Sequence, residues 1–429
     1  VLLSLGGLLL GLLAEPLVGA VLFPGRPPEQ QALVVDLTRI ILLSPLFMGL
    51  GGWAQGILNA RQHFTMPALA PVFYNLAIIA GALFLVPVFG VYGLAWGVVA
   101  GALLHVGVQV PALVRTGMRW TPRLNLRDEG AGEVGRLILP RIAGQAAFQV
   151  NIIAMTAIAS FLAAGSLAAF NYAYMIMILP HGVFAMSLAT TTFPTMASQF
   201  AEGDLEALRG TLSRAVRVLL FLTIPAAVGM FVLREELVAT LFQLGAFDVQ
   251  DTQTVAASLG FFCIGLVSYA VVEVVTRAFY ALHDTATPVA VGVVTVVLNL
   301  GLAWLLAVTL AMGTNGLALS LAATTTLEMA LLWVLLGRKL PGWRLAPGGM
   351  VRSITTSLVA SGVMGVALWG LLAASGALIS TQGKLEAIAV TVVGVAIGAV
   401  VYLAAAKLLR SEELDQAVGL VARRFRRRG

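Results

Sequence analysis

Long apolar segments constrain this chain more than any other feature. There are twelve of them, and each is long enough to cross about 30 Å of hydrocarbon. Backbone groups that face lipid must bond to one another, so segments of this length are helices; strands of a barrel would be shorter and alternate at every second residue. The segments are 1–22, 36–59, 68–88, 91–114, 137–163, 167–190, 212–233, 253–281, 287–311, 315–337, 351–375 and 384–408. The sequence therefore predicts an all-α polytopic membrane protein.

The composition excludes most other classes of protein. Hydrophobic residues make up 59% of the chain and charged residues 11%, whereas soluble domains carry about 25% charged residues. The single cysteine, Cys263, excludes an intramolecular disulfide and a cysteine-based metal site. No P-loop, HExxH or GxSxG motif is present, and the four histidines lack metal spacing. We therefore expect neither an enzyme nor a bound cofactor, and a transporter would use a coupling ion (H⁺ or Na⁺) or the membrane potential.

Basic residues fall on alternate loops and so predict the orientation in the membrane. One set of loops holds Arg61, the five arginines between positions 115 and 136, Arg209 and the three basic residues between 338 and 344, whereas the opposite loops hold Arg26, Arg234 and Lys384. The richer set is expected in the cytoplasm. The C-terminus, with its cluster of arginines, is then cytoplasmic. We interpret that cluster as a determinant of topology that contacts anionic lipid headgroups, not nucleic acid.

A short motif, Gly-x-x-Gly-Leu-Ala, occurs at Gly90 and again at Gly313, 223 residues later. Other landmarks recur at nearly the same offset: Pro67 with Pro288, Asn75 with Asn299, and Glu15-x-Leu-Val18 plus Phe23 with Glu235-x-Leu-Val238 plus Phe242. Recurrence at a fixed offset indicates a duplicated unit of about half the chain. In a membrane protein, duplication is typical of a transporter with its site between the two halves.

The duplication predicts the organisation of the chain. Segments seven to ten match segments one to four, so the second unit also contains segments five and six. By the same offset the first unit should begin roughly 80 to 85 residues before Val1, which would give fourteen helices: two six-helix lobes related by a pseudo-twofold axis along the membrane normal, and a final pair. The predicted parts are a truncated N-terminal lobe (1–117), a basic cytoplasmic linker (118–136), the C-terminal lobe (137–340), an extra helix pair (351–410) and a basic tail (411–429).

Segments five and six form the most polar helix pair. Their amides and phenols either hold helices together or line a cavity between the lobes, and both alternatives stay open. His181, directly after Pro180, is a further candidate for that cavity. The candidate substrate-cavity residues are Gln145, Gln149, Asn151, Asn171, Tyr172, Tyr174 and His181.

Ionisable residues inside a membrane are costly, so each is a candidate functional group. Arg141 lies near the cytoplasmic start of segment five, where a long side chain can reach the interface. Glu273 and Arg277 are one helical turn apart and can pair, for structure or for gating. Glu328 lies in the middle of segment ten, as a protonated core acid or as a coupling site. Candidates for gating or for charge at the cytoplasmic end are Arg61, Arg141, Glu273, Arg277 and Asp284.

Several stretches of the chain resemble a known family. They are Gly56-Ile-Leu-Asn-Ala-Arg61 with Pro67 and Asn75, Pro180-x-Gly-Val-Phe184 with Phe193-Pro194, Leu241-Phe242 with Gly245-Ala-Phe247, and Arg277-Ala-Phe-Tyr-Ala281 with Asp284 and Thr287-Pro288. Together they are similar to the lipid II flippases of the MurJ/MviN family, within the MOP exporter superfamily. The resemblance implies transport of a lipid-linked peptidoglycan precursor across the bacterial cytoplasmic membrane, a cationic central cavity, and a groove for the lipid tail at the last helix pair.

The chain departs from the family pattern at one informative position. Where the family often has an arginine, after Tyr172-Ala-Tyr174, this chain has Met175. A diphosphate is best held by fixed cations, so the anion-binding mechanism is weakened at this position. Two alternatives to lipid II transport therefore stay open: an exporter of drugs or polysaccharide lipids from the same superfamily, and a non-transporting scaffold.

Overall fold

The computed structural model describes residues 2–117, 149–340, 342, 349–378 and 384–415. Every regular element in these ranges is helical. Ten helical spans there, some of them made of consecutive helices, are long and apolar enough to cross a membrane, and a bent pair near the start would make eleven. These ten coincide with ten of the twelve predicted segments, which confirms the all-α membrane fold. The full helix count and the symmetry of the lobes stay predictions.

The chain divides into two compact units, Val1–Phe161 and Leu162–Gly429. The first contains nine α-helices among its described residues. They are α1 (Leu2–Leu12), α2 (Ala14–Leu17), α3 (Pro28–Ile41), α4 (Ser44–Ala60), α5 (Thr65–Ala80), α6 (Val86–Phe89), α7 (Val91–Gly107), α8 (Val110–Arg115) and α9 (Gln149–Ser160), with π-helical turns at Val18–Leu22 and Gly81–Leu85.

The first predicted segment, 1–22, is not one straight helix. Its two halves meet at an angle of 69° between Leu12 and Ala14. Pro16 explains the break, because it has no N–H to bond the carbonyl of Leu12, four residues earlier. The sequence predicts one continuous segment over 1–22, and the structure corrects this prediction. Apart from Pro16, the uniformly apolar sequence carries no signal for a bend.

Helix α9 packs with the first unit, although the sequence places residues 137–340 together in the C-terminal lobe. The backbone N–H of Gly25 donates to Ser160 Oγ at 3.1 Å. A side chain at Gly25 would collide with the backbone of Ser160 and Phe161, at 2.7 to 2.9 Å. This close approach explains why a glycine lies there. The linker 118–136 lies outside the described residues, as does the tail beyond residue 415.

The second unit is built around one long central helix. Its elements are α10 (Ser166–Pro180), a π-helical segment (His181–Met186), α11 (Ser187–Ala201), α12 (Leu205–Val232), α13 (Arg234–Phe242), α14 (Val249–Ala281), α15 (Ala286–Ala303), a π-helical segment (Trp304–Thr309), α16 (Thr314–Lys339), α17 (Met350–Leu378) and α18 (Lys384–Leu408). Helix α14 packs against α10, α12 and α16, and buries Phe262 and Phe279 completely. It starts with a capping box between Asp248 and Asp251, which satisfies N–H groups that the first turn leaves free.

The last helix pair docks on α12 at a proline. Pro225 lies inside α12 and cannot donate to the carbonyl of Phe221. The hydroxyl of Tyr402, from α18, donates to that carbonyl at 2.6 Å, and the two rings pack at 5.2 Å. Met364 and Leu368 of α17 complete this apolar contact. The last helix pair is therefore attached to α12 by apolar packing and by the hydrogen bond from Tyr402 to the carbonyl of Phe221, which Pro225 leaves without a helical donor.

The outer surface of the helices is apolar. Large side chains such as Phe84 (72% exposed), Val366 (71%) and Trp369 (69%) point away from the protein interior. A soluble protein rarely exposes apolar patches of such extent. In a bilayer these side chains face lipid, so they carry no cost, and the fold is that of a multi-pass membrane protein.

The same local backbone occurs in both units at the repeated motif. Gly90 has φ 57° and ψ −142°, and Gly313 has φ 60° and ψ −135°. A β-carbon on Gly93 would lie 2.5 Å from the backbone of Leu85, and one on Gly316 would lie 2.6 Å from that of Leu306. Each motif also follows a π-helical segment in its own unit. In each motif, therefore, the first glycine allows a turn with positive φ. The second glycine allows the backbone to approach more closely than any side chain would permit.

Candidate functional site

A proline and a π-helical turn interrupt the long apolar helix that contains His181. Helix α10 ends at Pro180, and the next six residues, His181–Met186, are π-helical before α11 begins. Such turns are rare and are frequent at functional sites, because the extra residue re-aims side chains. His181 is 5% exposed, and neither ring nitrogen has a hydrogen-bond partner within the described part of the chain.

His181 contacts the central helix through Tyr269. The two rings meet edge to face, with centroids 4.8 Å apart and planes at 73°. The phenol oxygen of Tyr269 lies 3.1 Å from that of Tyr174, within hydrogen-bonding distance. Tyr174 also packs against Phe262 at 5.8 Å. An imidazole and two phenols therefore meet between α10 and α14 in a largely apolar core.

Charged groups of α14 extend this contact. Arg277 donates to Glu273 at 2.9 Å, and the two side chains are 34% and 25% exposed. Tyr269, Glu273 and Arg277 follow each other at spacings of four, which places them on one face of the helix. Glu273 is thus one helical turn beyond the Tyr269 ring that contacts His181. The predicted pairing of Glu273 with Arg277 is present.

Glu328 approaches the same group from α16. Its charge, like that of Glu273, acts on Tyr269. Its carboxyl group has Thr295 of α15 as a hydrogen-bonding neighbour. A β-carbon on Gly292 would lie 3.9 Å from Glu328 Oε1, so the glycine leaves room for the carboxyl group. We call the six residues the polar cluster: Tyr174, His181, Tyr269, Glu273, Arg277 and Glu328.

A second site lies in the loop between α14 and α15. Asp284 accepts from the backbone N–H of Thr287 at 3.0 Å and from the ammonium of Lys339 at the end of α16. Burial by itself raises the pKa of the Asp284 carboxyl, but the hydrogen bonds from Lys339 and Thr287 outweigh burial and bring the pKa to about 2. His283 has φ 59°, and its ring lies 5.6 Å from that of Phe200. The loop thus joins the ends of α11, α14, α15 and α16.

The remaining candidates of α10 divide into exposed and packed residues. Asn171 is exposed, as is Met175 one turn later (54%). Tyr172 instead packs on Phe242 and Phe247, with centroids at 4.7 and 5.7 Å. Only Asn171 among the three predicted cavity residues of α10 has an open side chain. A role in a cavity between the lobes stays a prediction for all of them.

The described candidates of the first unit are Arg61, Gln149 and Asn151. Arg61 is exposed and donates to the carbonyl of Thr116. Gln149 is exposed and Asn151 half-buried, both in the first turn of α9. Gln145 and Arg141 lie outside the described residues. Within the described ranges, no three His, Cys, Asp or Glu side chains come together as a metal site.

The structure therefore brings together four of the predicted residues, Tyr174, His181, Glu273 and Arg277. It adds Glu328, for which the sequence alone indicates no partner. Tyr269 is not among the residues that the sequence predicts. The signal that could have found it is the spacing of four that it shares with Glu273 and Arg277.

A comparison with protein families places almost the whole chain in one of them. The family described as "Lipid II flippase MurJ" matches residues 1–406. Among curated proteins, the chain is similar to the "Probable lipid II flippase MurJ" of Haemophilus influenzae, 33% identical over 313 residues, which cover 71% of this chain and 60% of that protein. It is also similar to the "Lipid II flippase MurJ" of Burkholderia cenocepacia, 33% identical over 343 residues, which cover 77% of this chain and 66% of that protein. The chain thus spans about two thirds or less of the length of these relatives.

Solved structures show the same fold. One described as "Lipid II flippase MurJ, inward closed conformation" superimposes with a TM-score of 0.77 at 22% identity, over 94% of this chain and 81% of that one. An inward-facing multidrug resistance MATE family transporter of the MOP superfamily superimposes with a TM-score of 0.66 at 17% identity, over 79% of this chain and 78% of that one. These matches concern the fold alone.

Proposed function

Because this chain belongs to the lipid II flippase MurJ family, we propose that it moves lipid II from the inner to the outer leaflet of the bacterial cytoplasmic membrane. The observation that carries the proposal is the continuous match to that family over residues 1–406, which includes the last helix pair. The curated relatives are named as flippases, not as enzymes. The ten apolar helices supply the membrane-spanning scaffold that such transport needs.

We propose that transport follows alternating access, with the two lobes opening a shared site to one side of the membrane and then to the other. Discontinuous helices support this, because transporters use such breaks as hinges and as sources of free backbone groups. Here Pro180 precedes a π-helical segment and Pro225 interrupts the bonding of α12. The rearrangement then proceeds without an ATP site. Coupling comes from an ion or from the membrane potential.

The headgroup of the substrate is a diphosphate-linked sugar, which requires cations. The basic loops, including Arg61 and Lys339, are expected on the cytoplasmic side, where the substrate enters. Asn171, exposed on α10, is a polar group suited to the sugar. The last pair, α17 and α18, presents a wide apolar surface with Trp369 and Val400, both more than two thirds exposed. We propose that the polyprenyl tail follows this surface.

The test is rescue of a depleted cell combined with direct transport. The full gene that encodes this chain would be expressed in bacteria depleted of their own flippase, and its purified product reconstituted in liposomes with labelled lipid II. We expect growth to be restored and lipid II to reach the opposite leaflet. Rescue without transport in liposomes would favour a scaffold. Efflux of cationic drugs with no movement of lipid II would favour a drug exporter. Failure of both assays would overturn the proposal.

A further inference from the structure

His181 is a buried base with unused bonding capacity. It is 5% exposed, and both ring nitrogens lack a hydrogen-bond partner among the residues that the structure describes. A neutral imidazole has one donor and one acceptor, and the protonated ring has two donors. Buried polar groups are normally satisfied, so an orphan imidazole indicates either an unbound ligand or a second arrangement of its neighbours.

The group that can supply the missing partner is Glu273. Its carboxylate bonds Arg277 at 2.9 Å. Glu273 also lies one helical turn beyond Tyr269, whose ring contacts His181. Both members of the ion pair are partly exposed. Nε of Arg277 is itself buried and has no hydrogen-bond partner in the described ranges. Glu273 therefore lies between two cationic partners, one permanent and one that exists only when His181 is protonated.

Among the residues that the structure describes, few other charges lie near His181. Its π-helical segment packs against α10, α11, α12 and α14. From α10 and α14 the titratable neighbours are Tyr174, Tyr269 and Glu273, and α11 contains no charged residue. The charged residues of α12, from Glu206 to Arg217, lie in its first half. Glu328, from α16, acts on Tyr269.

We propose that the polar cluster is a proton-binding site, in which His181 takes up one proton and Glu273 moves from Arg277 to the imidazolium. The proton comes from water and adds to the ring nitrogen that lacks hydrogen. The triad of Glu273, Arg277 and His181 thereby changes from neutral to a net charge of +1. The two pairings need different conformations of the Glu273 side chain, so proton binding biases the contact between α14 and the π-helical segment toward one arrangement. The coupling of this site to lipid transport, though not proton binding itself, rests on the proposed function.

The geometry favours a proton over a sodium ion. Sodium would need several oxygen ligands, and the guanidinium of Arg277 already occupies the position next to the carboxylate of Glu273 at which a metal cation would bind. A nitrogen base with no partner is, in contrast, a suitable acceptor for a proton. Dependence on sodium at constant pH is therefore an outcome that would contradict the proposal.

The first experiment measures proton binding directly. The complete protein, labelled with ¹⁵N-histidine, would be titrated by NMR in lipid nanodiscs, and His181→Gln would assign the resonance. We expect the His181 signal to change as the pH is lowered through the range of the titration. In Glu273→Gln the midpoint should move to lower pH, because the carboxylate no longer stabilises the imidazolium. A His181 signal that stays constant over this range, or a midpoint unaffected by Glu273→Gln, would overturn the proposal.

The second experiment measures lipid II movement in liposomes at zero membrane potential as a function of pH. A single proton gives a rate that changes by up to about tenfold per pH unit on one side of the midpoint. His181→Gln should abolish this dependence and retain transport at a pH-independent rate. The matched control is His105→Gln, since His105 is also 5% exposed within a spanning helix. Retained pH dependence in His181→Gln would contradict the proposal.

The two measurements separate the proposals. If no variant moves lipid II at any pH, the proposed function fails while the NMR titration still decides whether the cluster binds a proton. If His181→Gln does not fold, Tyr269→Phe serves instead: it keeps the ring contact and removes the phenol, and it should leave the titration of His181 in place. Loss of that titration in Tyr269→Phe would place the proton elsewhere in the cluster and overturn the assignment to His181.

Discussion

The hydroxyl of Tyr402 bonds the carbonyl of Phe221 at 2.6 Å, where Pro225 leaves that carbonyl without a helical donor. Both residues are 5% exposed. The contact joins α18 to α12, so the last helix pair is fixed to the C-terminal unit at the position where α12 is interrupted. One substitution on either helix can test this relationship.

Replacing Tyr402 by Phe should destabilise the second unit by about 1 to 3 kcal/mol, because the buried carbonyl then has no donor. The measurement is unfolding in a denaturing detergent series. In a Pro225→Ala background, the new N–H at position 225 can bond the carbonyl, so Tyr402→Phe should cost less than about 1 kcal/mol there. An equal cost in both backgrounds would show that the tyrosine contributes by packing alone.

The Asp284 loop should make stability depend on acid pH. Its folded pKa of about 2 lies below the ordinary value of 3.8, so the stabilisation is complete above about pH 4 and is lost as the pH falls toward 2. Unfolding followed between these values should show the loss in the wild type and not in Asp284→Asn.

At neutral pH the two parts of the Asp284 interaction can be separated. Asp284→Asn keeps an acceptor for the N–H of Thr287 but loses the ion pair with Lys339. Because the Lys339 side chain is 45% exposed, this loss should lower the free energy of unfolding by less than about 1 kcal/mol. Asp284→Ala also loses the hydrogen bond from the N–H of Thr287 and should cost about 1 kcal/mol more. Equal effects of the two variants would contradict a stabilising role for that hydrogen bond.

The close contacts of Gly93 and Gly316 should make both intolerant of a methyl group. An added β-carbon would lie within 2.7 Å of backbone atoms in each case, and backbone cannot move aside as a side chain can. We expect Gly93→Ala and Gly316→Ala each to cost about 1 to 3 kcal/mol or more. Gly301→Ala is the matched control in a spanning helix, since a β-carbon added there would have nothing within 4 Å. The variants are compared by their thermal stability in detergent. A Gly316→Ala variant as stable as Gly301→Ala would contradict the prediction.

Met175→Arg tests whether the exposed face of α10 lies in a polar cavity. Met175 is 54% exposed and follows exposed Asn171 by one turn. In a polar cavity, stability should change by less than about 0.5 kcal/mol, and lipid II should bind about tenfold tighter through the added cation. If position 175 faces lipid, the arginine should instead destabilise the protein by about 2.5 to 3.5 kcal/mol. Leu179→Arg, one turn further at 57% exposure, serves as the control and should gain no affinity.

Much of the fold could be predicted because the membrane reduces the choice of structures. Lipid-facing backbone must be helical, so length and hydropathy alone identify ten of the spanning helices. The repeated glycines could be found by their offset. The bend at Leu12, however, depends on a single proline in an otherwise uniform apolar segment, and the π-helical turns have no sequence signature at all.

The candidate site could be predicted only in part. Glu273 and Arg277 are recognisable because a spacing of four places them side by side on a helix. Glu328 is conspicuous as a charge in an apolar segment, but its neighbours come from α14 and α15, which only tertiary packing brings near. Tyr402 and Phe221 are 181 residues apart, and no local pattern joins them. Residues that meet across helices are therefore what the sequence alone leaves undetermined.

The π-helical turns have a consequence for how side chains can be re-aimed. Each holds a surplus residue relative to the α-helical path. If the surplus moves one position along the helix, every side chain it passes turns by about 100° around the axis, and only local hydrogen bonds are exchanged. The described residues contain four such turns, and one of them begins at His181. A spanning helix of this protein can therefore change the face it presents while both of its ends stay in place.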